Sequence, residues 1–184
     1  HSVAEGKKAD YLLYHNGKPI AVVEAKDNKH AVGGGIQQAM DYAQILDLKF
    51  AYSSNGDAFL EHDFITGKET EIKLEDFPTA EELYNRYLAS KHYTSDELNI
   101  IETPFYYDAH SHEPRYYQRI AVDRTVEAIA RGQQRVLVVM ATGTGKTFTA
   151  FQIIHKLHKS KAKKKFLFWL LIIFITNNKS IIQK

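Results

Sequence analysis

Short apolar runs separated by turn residues dominate the first half of the chain. The runs YLLY and IAVVEA flank HNGKP, in which Asn16 and Gly17 supply the chemistry of a tight turn, and this arrangement predicts a β-hairpin. The segment KFAYSSNG predicts a third strand. AFLEHDFITGKETEIKL predicts a second hairpin that turns at Thr66 and Gly67. The pattern therefore predicts a β-sheet in this part of the chain.

Helical periodicity interrupts the strands at two places. A triple glycine at 33–35 predicts a loop. Four apolar side chains then recur at helical spacing: Ile36, Met40, Ala43 and Leu46. Thr79 and Glu82 form a capping box, which predicts a helix over residues 80–88.

The second half of the chain has a different pattern. Residues 89–114 are polar with scattered aromatic side chains, which predicts a connection between two domains. A helix is predicted over 116–131, with Gly132 as its C-terminal cap. RVLVVM then predicts a buried strand, ATGTGKT a loop and FTAFQIIHKLHK an amphipathic helix. Strand, loop and helix in this order are typical of a phosphate-binding unit.

Composition narrows the classes of function. The chain has 184 residues, 44% of them hydrophobic, which is enough for one or two small cores. A formal net charge of +2 supplies no global basic field, so any contact with nucleic acid must come from local patches. The absence of cysteine excludes disulfides and thiolate metal sites. It also fits a reducing compartment, and we predict the cytoplasm.

Both ends of the chain look unusual. The start at His1 has neither the charged nor the apolar region of a secretory signal, and we expect a fragment that lacks its natural start. The run FLFWLLIIFI, at 166–175, has ten residues, whereas a membrane helix needs roughly 20. We therefore predict a buried strand or an unnatural tail here and no membrane span.

Two acids and a lysine surround the first predicted hairpin. Because side chains alternate along a strand, Glu24 and Lys26 share one face. Whether Asp10 joins them depends on the turn. A two-residue loop pairs Asp10 with Val23 and places Glu24 on the opposite face, whereas a three- or five-residue loop pairs Asp10 with Glu24.

Paired carboxylates at this place would favour a metal ion. Close carboxylates repel, and a hard divalent cation such as Mg²⁺ removes the repulsion and takes oxygen ligands. Lys26 could then orient a water for attack on a phosphodiester or help to deprotonate it. The alternative is a surface hairpin in which Lys26 forms an ordinary ion pair with Glu24 or Asp10.

The same stretch resembles a nuclease family. KADYLL and GKPIAVVEAK, followed by GGGIQQAMDYAQ, resemble the PD-(D/E)xK nuclease core in the restriction (R) subunit of type I restriction enzymes. That family carries an additional Gln-x-x-x-Tyr on the following helix, which Gln38 and Tyr42 match. The resemblance implies an α/β, restriction-endonuclease-like core over residues 1–88, whose first helix and strand would lie before His1.

The resemblance also implies roles for these residues. Asp10 and Glu24 would bind Mg²⁺, with the Ala25 carbonyl as a further ligand, and Lys26 would assist the nucleophilic water. Gln38 and Tyr42 would hold the DNA backbone or orient the site.

The loop MATGTGKT carries the second candidate site. Met140 replaces the first glycine of the G-x-x-x-x-G-K-[ST] signature, but the remaining positions that bind phosphate are present. Backbone N–H groups would cradle the phosphates of ATP, Lys146 would reach the β- and γ-phosphates, and Thr147 would ligate Mg²⁺. The predicted nucleotide-binding residues are Gly143, Thr144, Gly145, Lys146 and Thr147.

This loop resembles motif I of superfamily 2 helicases and translocases. Gln118 resembles the glutamine with which that superfamily reads adenine. We therefore predict an incomplete RecA-like P-loop lobe over residues 115–184, after a connector at 89–114, with an atypical tail from about 169.

Together, the resemblances imply a fragment of the subunit that moves along duplex DNA at the expense of ATP and cleaves it with Mg²⁺. Its partners would be double-stranded DNA and separate methylation and specificity subunits. Two alternatives remain: a DNA-repair helicase with a fused nuclease, and a docking module without catalytic activity. We expect the fragment alone to hydrolyse no ATP.

Overall fold

The computed structural model describes residues 2–3, 7–108 and 113–167. Its strands are β1 (Ser2–Val3), β2 (Lys7–Lys8), β3 (Tyr11–His15), β4 (Lys18–Ala25), β5 (Phe50–Ser54), β6 (Ala58–Asp63) and β7 (Lys68–Lys73). Its α-helices are α1 (Ile36–Leu46), α2 (Ala80–Lys91), α3 (Ser95–Glu102), α4 (Tyr116–Ala130) and α5 (Lys146–Lys159). Short 3₁₀ helices cover Val32–Gly35 and Leu74–Asp76.

A mixed five-stranded sheet, in the order β3-β4-β5-β6-β7, forms the centre of the fold. Strands β4 and β5 are parallel and are joined through α1, while the other neighbours are antiparallel. Helix α1 packs on one face of the sheet, around Val22 and Ala51. Helix α2 packs on the other face, around Tyr52. The mixed α/β class expected from the sequence is confirmed.

The first hairpin turns where Asn16 and Gly17 predict it. Both residues have positive φ, 47° and 75°, and His15 lies opposite Lys18, so the loop has two residues. Two positive φ values match the twist of a tight hairpin, and asparagine and glycine tolerate them best.

A β-bulge in β4 then changes the register of this hairpin. Leu13 lies opposite Ala21, which leaves Ile20 as one extra residue on β4. Continuing the shifted register places Asp10 opposite Glu24. The expectation that a two-residue loop would pair Asp10 with Val23 is therefore wrong, because the extra residue restores the other pairing.

The second hairpin and the α2 helix confirm their sequence signals. Strands β6 and β7 pair with Asp63 opposite Lys68, on either side of the predicted turn. The Thr79 hydroxyl accepts a hydrogen bond from the Glu82 N–H, and the Glu82 carboxylate accepts one from the Thr79 N–H. This reciprocal capping box starts α2 at Ala80.

The segment predicted as a connection without regular structure contains a helix. Thr94 and Glu97 form a second capping box, which starts α3. The signal is the same T-x-x-E spacing as at α2, but it lies in a stretch with few apolar positions, where periodicity alone indicates no helix.

Helices α3, α4 and α5 pack together around a small apolar core of Phe105, Val122 and Val126. Helix α4 ends at Ala130, and Gly132 follows with φ of +88°, as its predicted role at the C-terminal end requires. Helix α5 follows the glycine-containing loop, as predicted.

The predicted buried strand RVLVVM is wrong in this structure. Residues 135–140 have no strand assignment, and Leu137 and Val139 are 87% and 85% exposed. A buried parallel strand needs neighbours that bond its backbone N–H and C=O groups, and none of the described residues pairs with this segment.

The apolar tail at 166–184 lies outside the described residues beyond Leu167. Among the helices that are described, none combines the length and the apolar character that crossing a membrane requires.

Candidate active site

Asp10, Glu24 and Lys26 meet at the carboxyl end of β4. The Ala25 N–H donates a hydrogen bond of 2.9 Å to Asp10 Oδ2, which fixes the carboxylate beside the strand. Lys26 Nζ donates to Glu24 Oε1 over 3.0 Å. The register of the hairpin thus brings two carboxylates and the lysine ammonium group together. Glu24 is only 2% exposed.

The second oxygen of Glu24 lacks a protein partner. Glu24 Oε2 is buried and has no hydrogen-bond partner among the described residues. A buried carboxylate oxygen without a partner is costly, because it has lost its water and gained nothing in exchange. Its position marks where an additional positive group would be stabilising.

The pKa values of Glu24 and Lys26 also indicate that positive charge would stabilise this place. Burial raises the pKa of the Glu24 carboxyl, the hydrogen bond from Lys26 lowers it, and the negative charge of Asp10 raises it again, so the net pKa is raised. The hydrogen bond to Glu24 raises the pKa of Lys26 and keeps its ammonium charged. One lysine therefore does not fully compensate two neighbouring carboxylates.

Gln38 and Tyr42 extend this cluster along α1. Lys26 Nζ also donates to Gln38 Oε1 over 3.2 Å, and Gln38 Nε2 donates to the Tyr42 hydroxyl over 3.3 Å. Tyr42 is buried in the core between α1 and the sheet. The structure thus brings all five predicted nuclease residues together, and Gln38 and Tyr42 contact the lysine side of the cluster.

Gly35 and Ser53 also lie at this cluster, although the sequence patterns do not predict a role for them in the site. The Gly35 N–H donates to Ser53 Oγ over 3.0 Å, and Ser53 lies opposite Glu24 in the β4–β5 register. The glycine run predicts a loop at Gly35, but this residue ends a 3₁₀ helix that leads directly into α1. The glycine run before the apolar helix was the available signal.

The glycine-containing loop forms the second candidate site. Gly143 and Gly145 have positive φ of 78° and 83°, and Lys146 and Thr147 begin α5 with exposed side chains. Gln118 lies against this loop: its Nε2 donates to the Thr144 carbonyl over 2.8 Å, and its Oε1 accepts from the Arg115 N–H over 2.9 Å.

The tight contact at Gly145 depends on the absence of a side chain. A Cβ built on Gly145 would lie 2.4 Å from Gln118 Nε2. Gln118, predicted to read adenine, is thus beside the loop, and backbone groups already engage both ends of its amide.

A three-residue metal cluster is not present in the described part of the chain. No group of three or more His, Asp or Glu side chains there is close enough to hold a metal ion. The cluster of Asp10, Glu24 and Lys26 offers two carboxylates, and the further ligand that the family resemblance implies is a backbone carbonyl, that of Ala25.

Two family models match the chain. The model described as the N terminus of the type I restriction enzyme R protein matches residues 2–70. The model described as the res subunit of type III restriction enzymes matches residues 111–184, a range that includes the apolar tail.

Relatives from Escherichia coli match most of the chain. The endonuclease subunit of the type I restriction enzyme EcoAI is 49% identical over 167 residues, which covers 88% of this chain and 21% of that protein. The EcoKI endonuclease subunit of strain K12 is 27% identical and covers 87% and 17%. The chain thus spans about a fifth of the length of these relatives.

A solved structure has the same fold. It is described as a fragment of an HsdR subunit of a type I restriction enzyme from Vibrio vulnificus YJ016. It superimposes with a TM-score of 0.75 at 49% identity, over 85% of this chain and 29% of that one. Together, these matches show that the chain resembles HsdR, the R subunit of type I restriction enzymes.

Proposed function

We propose that this chain is part of a type I restriction subunit that cleaves duplex DNA with Mg²⁺ and moves along it with ATP. In this proposal, residues 1–88 form the nuclease domain, 89–114 the connector and 115–184 the start of the RecA-like lobe. The observation that carries the nuclease proposal is the convergence of Asp10, Glu24 and Lys26, with one oxygen of Glu24 buried and unpartnered.

The donor set fits Mg²⁺. Two carboxylates, Asp10 and Glu24, lie side by side, and their repulsion is what a divalent cation would relieve. They would hold the ion together with the Ala25 carbonyl. A bound Mg²⁺ supplies positive charge to a phosphodiester and lowers the pKa of water.

Two neighbouring side chains hold the Lys26 ammonium group in place. Lys26 is held from two directions, by Glu24 and by Gln38, so its ammonium group has a defined position beside the carboxylates. From there it can orient a water or stabilise negative charge on a phosphate. Tyr42 in turn restrains Gln38, which supports an orienting role for both residues over a direct contact with DNA.

Asp10→Asn tests the nuclease proposal in a full-length subunit that contains this chain. We expect loss of Mg²⁺-dependent DNA cleavage, by at least about 100-fold, because the amide supplies no negative charge to the ion. ATP hydrolysis should remain. Asp76→Asn, at an exposed carboxylate beyond the opposite edge strand β7, is the matched control. Cleavage at the wild-type rate in Asp10→Asn would contradict the proposal.

We propose ATP as the ligand of the second site. Gly143, Thr144, Gly145 and Lys146 would bind its phosphates, Thr147 would ligate Mg²⁺, and Gln118 would read adenine. To do so, Gln118 must exchange its bond to the Thr144 carbonyl or to the Arg115 N–H for a bond to the base.

Lys146→Ala in the full-length subunit tests this site. We expect ATP hydrolysis to fall by at least about 100-fold, because the lysine charge that faces the β- and γ-phosphates is lost. The 184-residue chain alone should hydrolyse no ATP above background. Robust turnover by this chain, or by Lys146→Ala, would contradict the assignment.

The proposed partners are double-stranded DNA and the methylation and specificity subunits. Cleavage that requires both subunits and an unmethylated site supports this proposal. Cleavage without them favours a repair helicase with a fused nuclease. A site that does not respond to Mg²⁺ favours a docking module.

A further inference from the structure

The backbone conformation at position 35 does not require a glycine. Its φ and ψ are −107° and −1°, which any residue can adopt. Gly17 and Gly67 differ, because they have positive φ and nothing within 4 Å of a built Cβ. At those turns glycine is favoured by conformation, whereas at Gly35 another reason must apply.

That reason is space. A Cβ on Gly35 would lie 2.9 Å from Glu24 Cγ, 3.0 Å from Ser53 Oγ and 3.1 Å from Lys26 Cε. Three side chains thus pack around the position that a Cβ methyl group would occupy. Two of them are members of the proposed nuclease site.

These neighbours have little freedom to move away. Glu24 and Ser53 are 2% and 0% exposed, so any shift would press on packed core. Lys26 is tethered at Nζ to both Glu24 and Gln38. A side chain at position 35 would therefore displace the carboxylate, the lysine or the start of α1.

A hydrogen bond also holds Gly35 in place. Its N–H donates to Ser53 Oγ, which joins the start of α1 to β5 directly beside Glu24. One turn further along α1, Gln38 reaches Lys26. The distance between α1 and β4 therefore sets whether Gln38, Lys26 and Glu24 can bond as a chain.

We propose that Gly35, anchored by Ser53, is a positioning residue of the nuclease site: its missing side chain lets α1 approach closely enough to fix Glu24 and Lys26. This inference rests on the proposed Mg²⁺-dependent function. It assigns the site a residue outside the five that the sequence predicts.

Gly35→Ala and Gly34→Ala form the matched pair that tests it. A Cβ on Gly34 would meet only His30 Cβ, at 3.4 Å, and both changes add one methyl group to the same turn. Mg²⁺ binding to the 184-residue chain is measured by titration calorimetry, well below the Tm of each variant. We expect Gly35→Ala to bind at least about tenfold more weakly, as disturbed support of a metal ligand does, and Gly34→Ala to bind like wild type.

A second readout separates positioning from general packing. In the full-length subunit, Gly35→Ala should lower kcat for DNA cleavage and leave KM for DNA unchanged, because the shifted groups belong to the reacting centre. Wild-type affinity and kcat in a folded Gly35→Ala variant would overturn the inference while leaving the nuclease proposal standing.

Ser53→Ala decides the matter if Gly35→Ala does not fold. It removes the acceptor of the Gly35 N–H without adding bulk, and we expect weaker Mg²⁺ binding by a folded chain. Wild-type Mg²⁺ affinity in Ser53→Ala would then overturn the inference. A wild-type chain that binds no Mg²⁺ would contradict both the inference and the proposed function.

Discussion

At the scale of single residues, the cluster of Asp10, Glu24 and Lys26 works against the stability of the fold. Glu24 is buried, one of its oxygens lacks a partner in the described chain, and Asp10 adds a like charge beside it. A carboxylate arranged in this way is retained at a cost in free energy of folding, as is common where a site must bind a ligand. The arrangement has a measurable consequence for the dependence of stability on pH.

Glu24→Gln should raise the Tm of the metal-free chain at pH 7. Burial and the charge of Asp10 raise the pKa of Glu24. The protonated carboxyl therefore contributes favourably to the free energy of unfolding below pH 4.5, the ordinary pKa of the group. This contribution is lost as the pH rises through the folded-state pKa. The difference between wild type and variant should therefore vanish below pH 4.5. Thermal melts over a pH series measure it.

Mg²⁺ supplies the control for this prediction. Saturating Mg²⁺ should stabilise the wild-type chain and leave the variant nearly unchanged, because the proposed Mg²⁺ site exists in the folded state and needs the Glu24 carboxylate. A variant with a lower Tm than wild type at pH 7, without metal, would show that the Lys26 ion pair outweighs burial and repulsion.

At the scale of elements, local signals define where helices start, and a bulge aligns the strands. The capping boxes of α2 and α3 each depend on two residues three positions apart. The bulge at Ile20 aligns Asp10 with Glu24 despite the two-residue turn. Pro19 directly precedes the bulge, and a proline within a predicted strand is a sign of such irregularity, since it cannot donate to the ladder.

Thr94→Ala should lower the free energy of unfolding by about 1 kcal/mol, because the Glu97 N–H loses its cap. Ser95→Ala, at the exposed first residue of α3, should change it by less than about 0.5 kcal/mol. Urea unfolding followed by circular dichroism measures both. Equal effects of the two changes would contradict a specific role for the cap.

At the scale of the whole molecule, the end of α3 joins the sheet to the later helices. Lys18, at the start of β4, forms an ion pair of 3.2 Å with Glu102, and the Tyr84 hydroxyl of α2 also donates to Glu102. From the other side, the buried Lys156 of α5 donates to the Ile101 carbonyl over 3.1 Å. The stretch predicted as a connector is therefore a packed joint between the two parts.

Glu102→Gln should destabilise the chain at neutral pH. Burial opposes ionisation of Glu102, but the hydrogen bond from Tyr84 and the charge of Lys18 outweigh it and lower the pKa. The stability from this group is therefore present above the ordinary value of 4.5 and lost as the pH falls.

We thus expect the difference in Tm between wild type and Glu102→Gln to shrink below pH 4.5. Glu75→Gln, which removes an exposed carboxylate outside this joint, is the control variant. A Tm difference that stays constant across this pH range would show that packing of the Glu102 side chain, and not its charge, stabilises the joint.

The sequence by itself determined the local features of this protein: five strands of the sheet, the turns at Asn16–Gly17 and Thr66–Gly67, the capped α2, and the residue types at both candidate sites. These follow from periodicity and turn chemistry over a few neighbouring residues, which the chain carries wherever it folds.

Only the tertiary structure decided how these features meet. The register that joins Asp10 to Glu24 depends on one bulged residue. The fit at Gly35 depends on three side chains, one from β4, one from the residue after β4 and one from β5. Residues 135–139 are exposed although their pattern predicts a buried strand. In each case the outcome depends on partners distant in sequence, and neither periodicity nor local turn chemistry specifies them.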